Sequence, residues 1–337
     1  MSRILITGGL GYIGSHISIE LIKQNHDVYI IDNLSNSSET VIDNIYTITG
    51  KKINFFNEDL RNYDFLNLFL KKNKIDAVIH CAGLKAVNES IYQPLKYYNN
   101  NLDGTLMLLN AMKCNNIKKI IFSSSATVYD ESELMPVSEN SKIGFGKNPY
   151  ARSKIFIEKI LSDLFKCDPS WEIIILRYFN PAGNHPSCLI GEDPIDIPNN
   201  LMPLIARSAF NHGSLTIFGN DYNTHDGTAM RDYIHVSDLA NGHYKSLEML
   251  LNKNSFFSIF NLGLGYGSTV LDVINTYQKI NKVSIDYKFG DRRDGDIGIC
   301  YADSTNAKKI LNWIPDYNLG DICLHSYGWM KNKLKNN

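Results

Sequence analysis

The sequence predicts an α/β protein: a Rossmann-type, doubly wound parallel sheet with a smaller C-terminal α/β region that binds substrate. Three observations support this fold. Short apolar segments alternate with helical segments in the first half of the chain, a glycine-rich turn links the first strand to the first helix, and an acidic residue ends the second strand. Apolar strands separated by helices are typical of a parallel sheet covered on both faces.

The hydrophobic pattern of the first half assigns the individual elements. It predicts strands at residues 3–7, 27–31, 52–56, 77–80, 119–122 and 172–176. It predicts helices near residues 12–24, 62–73, 91–114 and 150–166. Strands of four to seven residues joined by longer helical segments indicate successive βαβ units.

The second half of the chain differs in composition and in the spacing of its helices. After about residue 180 the proline and glycine content rises, and helices predicted near 199–211, 237–251 and 269–280 are separated by long irregular stretches. We therefore predict an NAD-binding Rossmann domain over residues 1–180. Residues 181–337 form mainly the substrate-binding region, although segments near 231–265 are expected to return to the first domain.

Composition excludes several classes of protein. The formal net charge is −1 over 337 residues, which gives no electrostatic reason to expect a nucleic-acid or membrane partner. The six cysteines include no Cys-x-x-Cys pair, so we expect no metal site. The chain shows neither a signal-peptide pattern nor a long apolar run, so a cytoplasmic location is expected.

The turn after the first strand has the spacing of a dinucleotide-binding loop. Gly8, Gly11 and Gly14 are three residues apart. Gly8 allows the tight turn, Gly11 lets a phosphate approach the backbone, and Gly14 lets the helix pack close to the strand. The free N–H groups of the helix start favour a pyrophosphate.

Residues at the ends of the next strands suit the rest of a dinucleotide. Asp32 lies 18 residues after Gly14, where a carboxylate accepts hydrogen bonds from the adenosine ribose and repels a 2′-phosphate, so we predict NAD. Asp59 and Leu60 follow the third strand, where the adenine edge is expected. Lys85 follows the fourth strand and is expected on the nicotinamide side.

Tyr150 and Lys154 form the predicted catalytic pair. Residues four apart on a helix share one face, so the ammonium lies near the phenol and is expected to lower its pKa. Two other Tyr-x-x-x-Lys matches lack a suitable partner upstream. Ser125, after the fifth strand, is that partner for Tyr150, because strand ends of such sheets face the cofactor crevice.

Further motifs resemble the extended short-chain dehydrogenases, and among them the UDP-galactose 4-epimerase family. These are Ala82-Gly-Leu-Lys-Ala-Val87, Arg177-Tyr-Phe-Asn-Pro181, Phe218-Gly-Asn-Asp221, Arg231-Asp-Tyr-Ile-His-Val236 and Arg292-Arg-Asp-Gly-Asp296. The similarity runs through nearly the whole chain in order. Loop residues such as Asp130 depart from the family pattern without removing a proposed catalytic group.

The resemblance implies an NAD-dependent, reversible epimerisation at C4 of UDP-hexoses through a transient 4-keto sugar. Tyr150 would be the base, Lys154 would lower its pKa, and Ser125 would bond the substrate hydroxyl. It adds cofactor-site residues: Tyr12, Ile13, Asn33, Asn36, Ser37, Asn100 and Phe179. It also implies UDP-sugar contacts from Asn180, Asn200, Leu201, Phe218, Arg231, Arg293 and Asp296. Paired helices near 91–114 and 150–166 imply a homodimer.

Substrate breadth depends on Cys300 in this resemblance, because that position lies beside the sugar C2 substituent. A small residue there leaves room for an acetamido group, so we predict activity on UDP-GlcNAc and UDP-GalNAc as well. Gly298 is expected to add space.

Two alternatives stay open. A sugar-nucleotide 4,6-dehydratase would need an acid–base carboxylate pair after Ser125, where Ala126 and Thr127 stand. A non-catalytic NAD-binding regulator could dispense with Tyr150 and Lys154, yet both are present. Turnover of nucleotide sugars without added reductant distinguishes the non-catalytic regulator from an epimerase.

Overall fold

The computed structural model describes residues 1–194, 198, 200–211, 213–252, 255–293 and 296–336, with the side chain of the last residue excepted. The chain divides into two compact units. The first unit comprises residues 1–130, 142–177 and 240–260, and the second comprises residues 131–141, 178–239 and 261–337. Among the described residues, none of the helices combines the length and apolar character needed to cross a membrane.

The elements are numbered along the chain. The strands are β1 (Arg3–Thr7), β2 (Asp27–Asp32), β3 (Asn54–Asn57), β4 (Ala77–His80), β5 (Lys119–Ser125), β6 (Glu172–Tyr178), β7 (Asn180–Ala182), β8 (Leu215–Phe218), β9 (Met230–Arg231), β10 (Tyr233–His235), β11 (Phe256–Leu262), β12 (Ser268–Thr269), β13 (Tyr287–Gly290) and β14 (Ile299–Cys300). The helices are α1 (Tyr12–Lys23), α2 (Thr40–Thr49), α3 (Tyr63–Asn73), α4 (Val87–Tyr92), α5 (Pro94–Tyr98), α6 (Gly104–Cys114), α7 (Pro149–Cys167), α8 (Leu201–Asn211), α9 (Val236–Asn252), α10 (Val270–Asn281), α11 (Thr305–Ile310) and α12 (Leu319–Asn336).

A seven-stranded sheet forms the first unit, in the order β11-β6-β5-β4-β1-β2-β3. The pairs β1–β2, β1–β4, β2–β3 and β4–β5 are parallel. The predicted Rossmann-type fold is therefore confirmed, and β1 and β4 begin and end as predicted. The order reverses at β1, where β2 and β4 flank it, and such a switch point is where ligands bind in open α/β sheets.

Burial explains why the apolar segments became strands. Ile4, Leu5, Ile6, Val78 and Ile79 are completely buried. Strands that are covered on both faces need apolar side chains pointing in both directions, which gives continuous rather than alternating apolar runs. These strands pack within the core of the first unit together with the apolar faces of α3, α6 and α7.

Three predictions about the elements were wrong in detail. The helix expected near 91–114 is divided into α4, α5, a π-helical turn over Asn99–Asp103, and α6. Pro94 begins α5, because proline lacks the N–H that a continuous helix needs at that point. The sequence pattern missed α2. β5 extends beyond its predicted end at residue 122, so Ser125 is the last residue of the strand rather than a residue after it.

The second unit contains smaller sheets. β10 pairs with β7, β13 pairs with β8, and β9 lies between β12 and β14. Its core is formed by residues of α8, α10 and α12 together with Leu215, Ile217 and Tyr233 of β8 and β10. This unit therefore has its own apolar core, built from short strands and amphipathic helices.

Candidate active site

The glycine-rich turn between β1 and α1 has the geometry that its spacing predicts. Gly8 has a φ of +68°, which an L side chain rarely adopts, and a Cβ there would lie 2.8 Å from the backbone of Ala82. A Cβ on Gly14 would overlap the carbonyl oxygen of Gly8. The helix start at Gly11 has no side-chain cap, so the first amides of α1 face outward for an anionic ligand.

Asp32 ends β2 beside this turn. Its carboxylate is buried and accepts hydrogen bonds from the Leu10 amide at 3.1 Å, the Leu34 amide at 3.0 Å and the Ser37 hydroxyl at 2.8 Å. These bonds fix a negative charge next to the phosphate-type loop. The residues therefore fit an adenosine ribose whose hydroxyls donate to the carboxylate, and they disfavour a 2′-phosphate.

Asp59 follows β3, as predicted, and its carboxylate has partners within the protein. Its carboxylate accepts from Asn33 Nδ2 at 3.0 Å and forms an ion pair with Arg61 at 2.7 Å. The hydrogen bond from Arg61 is the main reason that the pKa of Asp59 lies well below its usual range. Leu60 is 9% exposed and its side chain belongs to the apolar core, so only its backbone is available to a ligand.

The remaining predicted cofactor residues of the first unit surround the same strand ends. Tyr12 and Ile13 form the first turn of α1, and the Lys85 ammonium lies 5.7 Å from the Tyr12 ring centre. Asn36 lies between β2 and α2. Asn100 lies in the π-helical turn, where its amide donates to Asn101 Oδ1 at 3.0 Å.

Asn101 is a site-forming residue that the sequence analysis missed. It is 3% exposed, its Oδ1 accepts from the Leu84 amide at 2.8 Å, and its Nδ2 donates to the Ser153 hydroxyl at 3.1 Å. It therefore connects the loop after β4, which carries Lys85, to α7. The π-helical turn that aims this side chain inward has no pattern in the sequence that would have revealed it.

Tyr150, Lys154 and Ser125 come together in the first unit. The hydroxyl of Ser125, the last residue of β5, hydrogen-bonds the side chain of Tyr150 in the first turn of α7. Lys154, one turn later, donates from Nζ to the Ser123 carbonyl oxygen at 2.7 Å and lies 5.9 Å from the Tyr150 ring centre. The i, i+4 spacing thus places phenol and ammonium on one face of α7.

Burial is the largest influence on the pKa values of Tyr150 and Lys154. Burial raises the pKa of Tyr150, and the hydrogen bond with Ser125 opposes that rise. The Lys154 ammonium donates to the Ser123 carbonyl oxygen. The predicted lowering of the Tyr150 pKa by Lys154 stays a prediction. Burial also lowers the pKa of Lys154 to about 8, so the ammonium keeps its proton at neutral pH.

Two side chains next to this group were not identified from the sequence. Ser124 donates its hydroxyl to Glu158 at 2.5 Å, and Glu158 forms a buried ion pair with Arg177 at 2.7 Å. Ser124 lies within β5, and its hydroxyl points at α7. The signal that could have found Glu158 is its spacing, four residues beyond Lys154.

In the second unit, three of the residues predicted to bind the UDP-sugar lie together. Arg231 Nη2 contacts Asp296 Oδ1 at 2.5 Å, and Arg231 Nη1 donates to the carbonyl oxygens of Met230 and Gly298. Cys300 is directly opposite Arg231 in the β9–β14 pair. Burial raises the pKa of the Cys300 thiol, which stays neutral. The Arg231 guanidinium, the Asp296 carboxylate and the Cys300 thiol therefore lie close together at the β9–β14 pair.

A second pair of predicted residues stacks. The guanidinium of Arg293 lies 4.0 Å from the ring centre of Phe218. The neighbouring Arg292 makes a different contact, with Asp221 at 2.6 Å and with the Tyr222 ring at 4.1 Å. The expected space beside Gly298 is not open, because a Cβ there would lie 3.1 Å from the Tyr222 ring.

Four other predicted residues have structural partners in the second unit. Phe179 is buried, and Asn180, the first residue of β7, donates its amide to the Asp232 carbonyl oxygen at 2.9 Å. Asn200 donates its side-chain amide to Glu192 at 2.6 Å, directly before Leu201 begins α8.

The first unit thus has the features of a nucleotide-dependent oxidoreductase-type enzyme: a Rossmann sheet, a glycine-rich turn at its switch point, and a Tyr-x-x-x-Lys helix facing a serine. The sequence profile of the NAD dependent epimerase/dehydratase family matches residues 4–263. The chain belongs to this family, and it is an NAD-dependent enzyme.

Relatives extend the match to the whole chain. The UDP-glucose 4-epimerase of Bacillus subtilis is 47% identical over 98% of this chain and 97% of its own length. A UDP-glucose-4-epimerase from Stenotrophomonas maltophila, solved with NAD and formylated UDP-arabinopyranose, aligns over 100% of both chains with a TM-score of 0.98 and 40% identity. The UDP-glucose 4-epimerase from Bifidobacterium longum, solved with NAD⁺ and UDP, aligns over 100% of both chains with a TM-score of 0.95 and 44% identity.

Proposed function

We propose that this chain interconverts UDP-glucose and UDP-galactose by reversible inversion at C4 through a transient 4-keto sugar. The observation that carries the proposal is the convergence of Tyr150, Lys154 and Ser125 beside a dinucleotide-type turn. The name shared by full-length relatives supports the same reaction.

The protein's own groups handle the proton. Tyr150 accepts the proton of the sugar 4-hydroxyl while Ser125 hydrogen-bonds that hydroxyl, and Tyr150 returns the proton after inversion. The Lys154 ammonium favours the phenolate form electrostatically. NAD⁺, held by the glycine-rich turn and Asp32, would supply the hydride acceptor and donor that oxidation and re-reduction at C4 require. Burial of Tyr150 and Lys154 strengthens each of these interactions, because the local dielectric is low.

Gly8, Gly11, Gly14 and Asp32 are the residues we propose to hold the pyrophosphate and ribose of NAD. Their support is the tight turn, the uncapped start of α1 and the anchored carboxylate. Other proposed cofactor contacts are Tyr12, Ile13, Asn33, Asn36, Ser37, Asp59, Leu60, Lys85, Asn100, Tyr150, Lys154 and Phe179.

The second unit supplies the proposed UDP contacts. Guanidinium groups form bidentate hydrogen bonds with phosphate oxygens, which suits Arg231 and Arg293 to a diphosphate. Asp296 can accept from a ribose or uracil group, and the Phe218 ring offers a stacking face. Asn180, Asn200 and Leu201 complete the proposed set. Binding energy from UDP, away from the reacting carbon, holds the substrate through inversion.

Cys300 supports a wider substrate range. The Cys300 side chain, opposite Arg231, is small and uncharged, so it leaves room for an acetamido group at C2. We therefore propose that UDP-GlcNAc and UDP-GalNAc are also interconverted. The breadth rests on Cys300 and not on Gly298, whose side is filled by Tyr222.

We also propose a cytoplasmic homodimer. Exposed apolar side chains lie on α4, α5 and α7, with Ile91 56%, Leu95 75% and Phe156 42% exposed. Such a patch on neighbouring helices favours burial against a second copy. Light scattering at micromolar concentration should give twice the chain mass, and Leu95→Glu should give the monomer mass. A monomeric wild type would refute the dimer.

The test of the proposed reaction uses purified protein with each of the four UDP-sugars and no added cofactor or reductant. We expect conversion to the C4 epimer in every case, and acid extraction should release NAD. No conversion of any sugar would support the non-catalytic regulator instead, and accumulation of a 4-keto-6-deoxy product would support the dehydratase.

A further inference from the structure

The first unit contains a buried acidic residue that the proposed reaction does not use. Glu158 lies on α7, four residues after Lys154 and eight after Tyr150, so the three side chains follow one another along one face of the helix. Its side chain is only 9% exposed. A carboxylate is expensive to bury, so its partners determine what it does.

Each of these three side chains contacts one of three consecutive serines at the end of β5. The contacts are Lys154 Nζ to the Ser123 carbonyl oxygen at 2.7 Å, the Ser124 hydroxyl to Glu158 Oε1 at 2.5 Å, and the Ser125 hydroxyl to Tyr150. One face of α7 is thus connected to the end of β5 at three successive residues, and Ser124, the middle one, contacts Glu158.

Glu158 is itself fixed from a third element. Arg177 on β6 donates from Nε to Oε1 at 3.1 Å and from Nη2 to Oε2 at 2.7 Å, and its side chain is 3% exposed. Arg177 also donates from Nη1 to the Tyr129 hydroxyl at 3.1 Å. This fork leaves the carboxylate little freedom to turn. A well-packed apolar pair is often as stable as such an ion pair, so stability alone does not account for it.

We propose that Glu158 is a positioning residue, whose buried carboxylate holds Ser124 and thereby sets the Ser123 carbonyl and the Ser125 hydroxyl. The inference rests on the proposed function, since Lys154 and Tyr150 act through those two groups. Because Ser124 lies between them in the strand, a shift at Ser124 moves both. Misplacement of reacting groups by about 1 Å can cost about 100-fold in rate.

The negative charge of Glu158 also supports the site, because it favours the ammonium form of Lys154. The titratable groups facing Lys154 are His80, Cys81, Tyr150 and Glu158. Burial lowers the pKa of His80 to about 3 and raises that of Cys81 to about 11, so both are neutral at pH 7. Burial raises the pKa of Tyr150 as well. Besides burial, Cys81 and then Glu158 raise the pKa of Lys154. Because Cys81 is neutral at pH 7, Glu158 carries the negative charge that favours the ammonium there.

The test compares matched serine-to-alanine variants. Ser124→Ala removes the contact with Glu158 and leaves the ion pair with Arg177 in place, so the carboxylate is not left unpaired. Ser246→Ala is the control: Ser246 is also fully buried in the first unit, and its hydroxyl donates to the Gly242 carbonyl oxygen at 2.8 Å. Thermal melting, NAD content, kcat and KM for UDP-galactose are measured for both.

We expect Ser124→Ala to lose about tenfold in kcat with KM changed by less than about twofold, since the loss falls on positioned reacting groups. Ser246→Ala should keep the wild-type kcat. Glu158→Gln adds a second readout, because removing the negative charge lowers the pKa of Lys154. The alkaline limb of its kcat profile should move to lower pH by about one unit.

The outcomes separate this inference from the proposed function. Equal kcat in the two alanine variants would overturn the positioning role, as would an unmoved alkaline limb in Glu158→Gln with only a lower melting temperature. If Glu158→Gln does not fold, Ser124→Ala decides alone. A wild-type protein inactive on all four UDP-sugars would overturn the proposed function, and this inference with it.

Discussion

The two units present their candidate functional residues in different ways. In the first unit, Tyr150, Lys154 and Ser125 lie on a 19-residue helix and a seven-residue strand, and Lys154 is buried. In the second unit, Arg231 and Cys300 lie on two-residue strands, and Phe218 is 36% exposed. Regular buried elements hold proton-transfer groups in fixed positions, whereas short strands and loops can vary to suit a substrate.

The comparison predicts that changes in the first unit lower kcat, while changes in the second unit alter KM or substrate choice. An interaction made only in the transition state affects kcat, and uniform binding affects KM. The following experiments test this division.

The largest effect is expected from Tyr150→Phe. The variant keeps the ring and its burial but cannot accept the substrate proton, so kcat should fall by between about 10²- and 10⁴-fold. Cofactor content after acid extraction should stay at the wild-type level. Near-normal turnover would remove Tyr150 from the proposed mechanism.

Lys154→Met should change how stability depends on pH. Burial lowers the pKa of Lys154 from 10.5 to about 8, so the folded state bears a cost of about 3 kcal/mol at pH values where the ammonium is charged. As pH rises from 8 towards 10.5, Lys154 loses its proton in the folded state but keeps it in the unfolded state, so this cost disappears. The free energy of unfolding of the wild type should therefore rise by up to about 3 kcal/mol relative to that of Lys154→Met. Urea denaturation at pH 7.5 and pH 10 measures the difference, and an equal difference at both pH values would contradict the prediction.

Cys300→Tyr should narrow the substrate range. The added ring occupies the place proposed for the C2 acetamido group, so kcat/KM for UDP-GalNAc should drop by at least about 30-fold, with UDP-galactose changed by less than about threefold. The check is kcat/KM for all four UDP-sugars. Equal losses for simple and acetamido sugars would show that Cys300 does not select the substituent.

The smallest effect is expected from the two adjacent arginines. Arg293→Met should raise KM for UDP-galactose about tenfold at nearly constant kcat, because one charge-assisted contact to UDP is lost. Arg292→Met is the matched control, since Arg292 forms an ion pair with Asp221. A larger rise in KM for Arg292→Met than for Arg293→Met would mean that Arg292, rather than Arg293, contacts UDP.

Sequence patterns predicted the first unit better than the second. Six of the seven strands of the sheet, β1 to β6, lie at the predicted apolar runs, and β1 and β4 have the predicted limits. The prediction failed at two places. α2 could have been predicted, because Val41, Ile45 and Ile48 have helical spacing, although Ile45 alone of its described residues is fully buried. Pro94 interrupts a helix that the periodicity alone continues.

The site shows the same division. The one-face placement of Tyr150 and Lys154 could be predicted because helical spacing is a local property. The contacts of Asp59 with Asn33, and of Glu158 with Arg177, join residues 26 and 19 positions apart. Such contacts depend on which strands become neighbours, and a single sequence does not encode that directly.

The sequence by itself determined the Rossmann-type sheet, the phosphate-type turn and the spacing of the catalytic helix, because each depends on residues close together in the chain. Only the tertiary structure decided that Ser124 points at Glu158, and that Lys154 bonds the Ser123 carbonyl rather than the phenol. Burial in the folded protein raises the pKa of Tyr150 above its ordinary value. Burial depends on all the elements that pack around a residue, so neither spacing nor composition contains it.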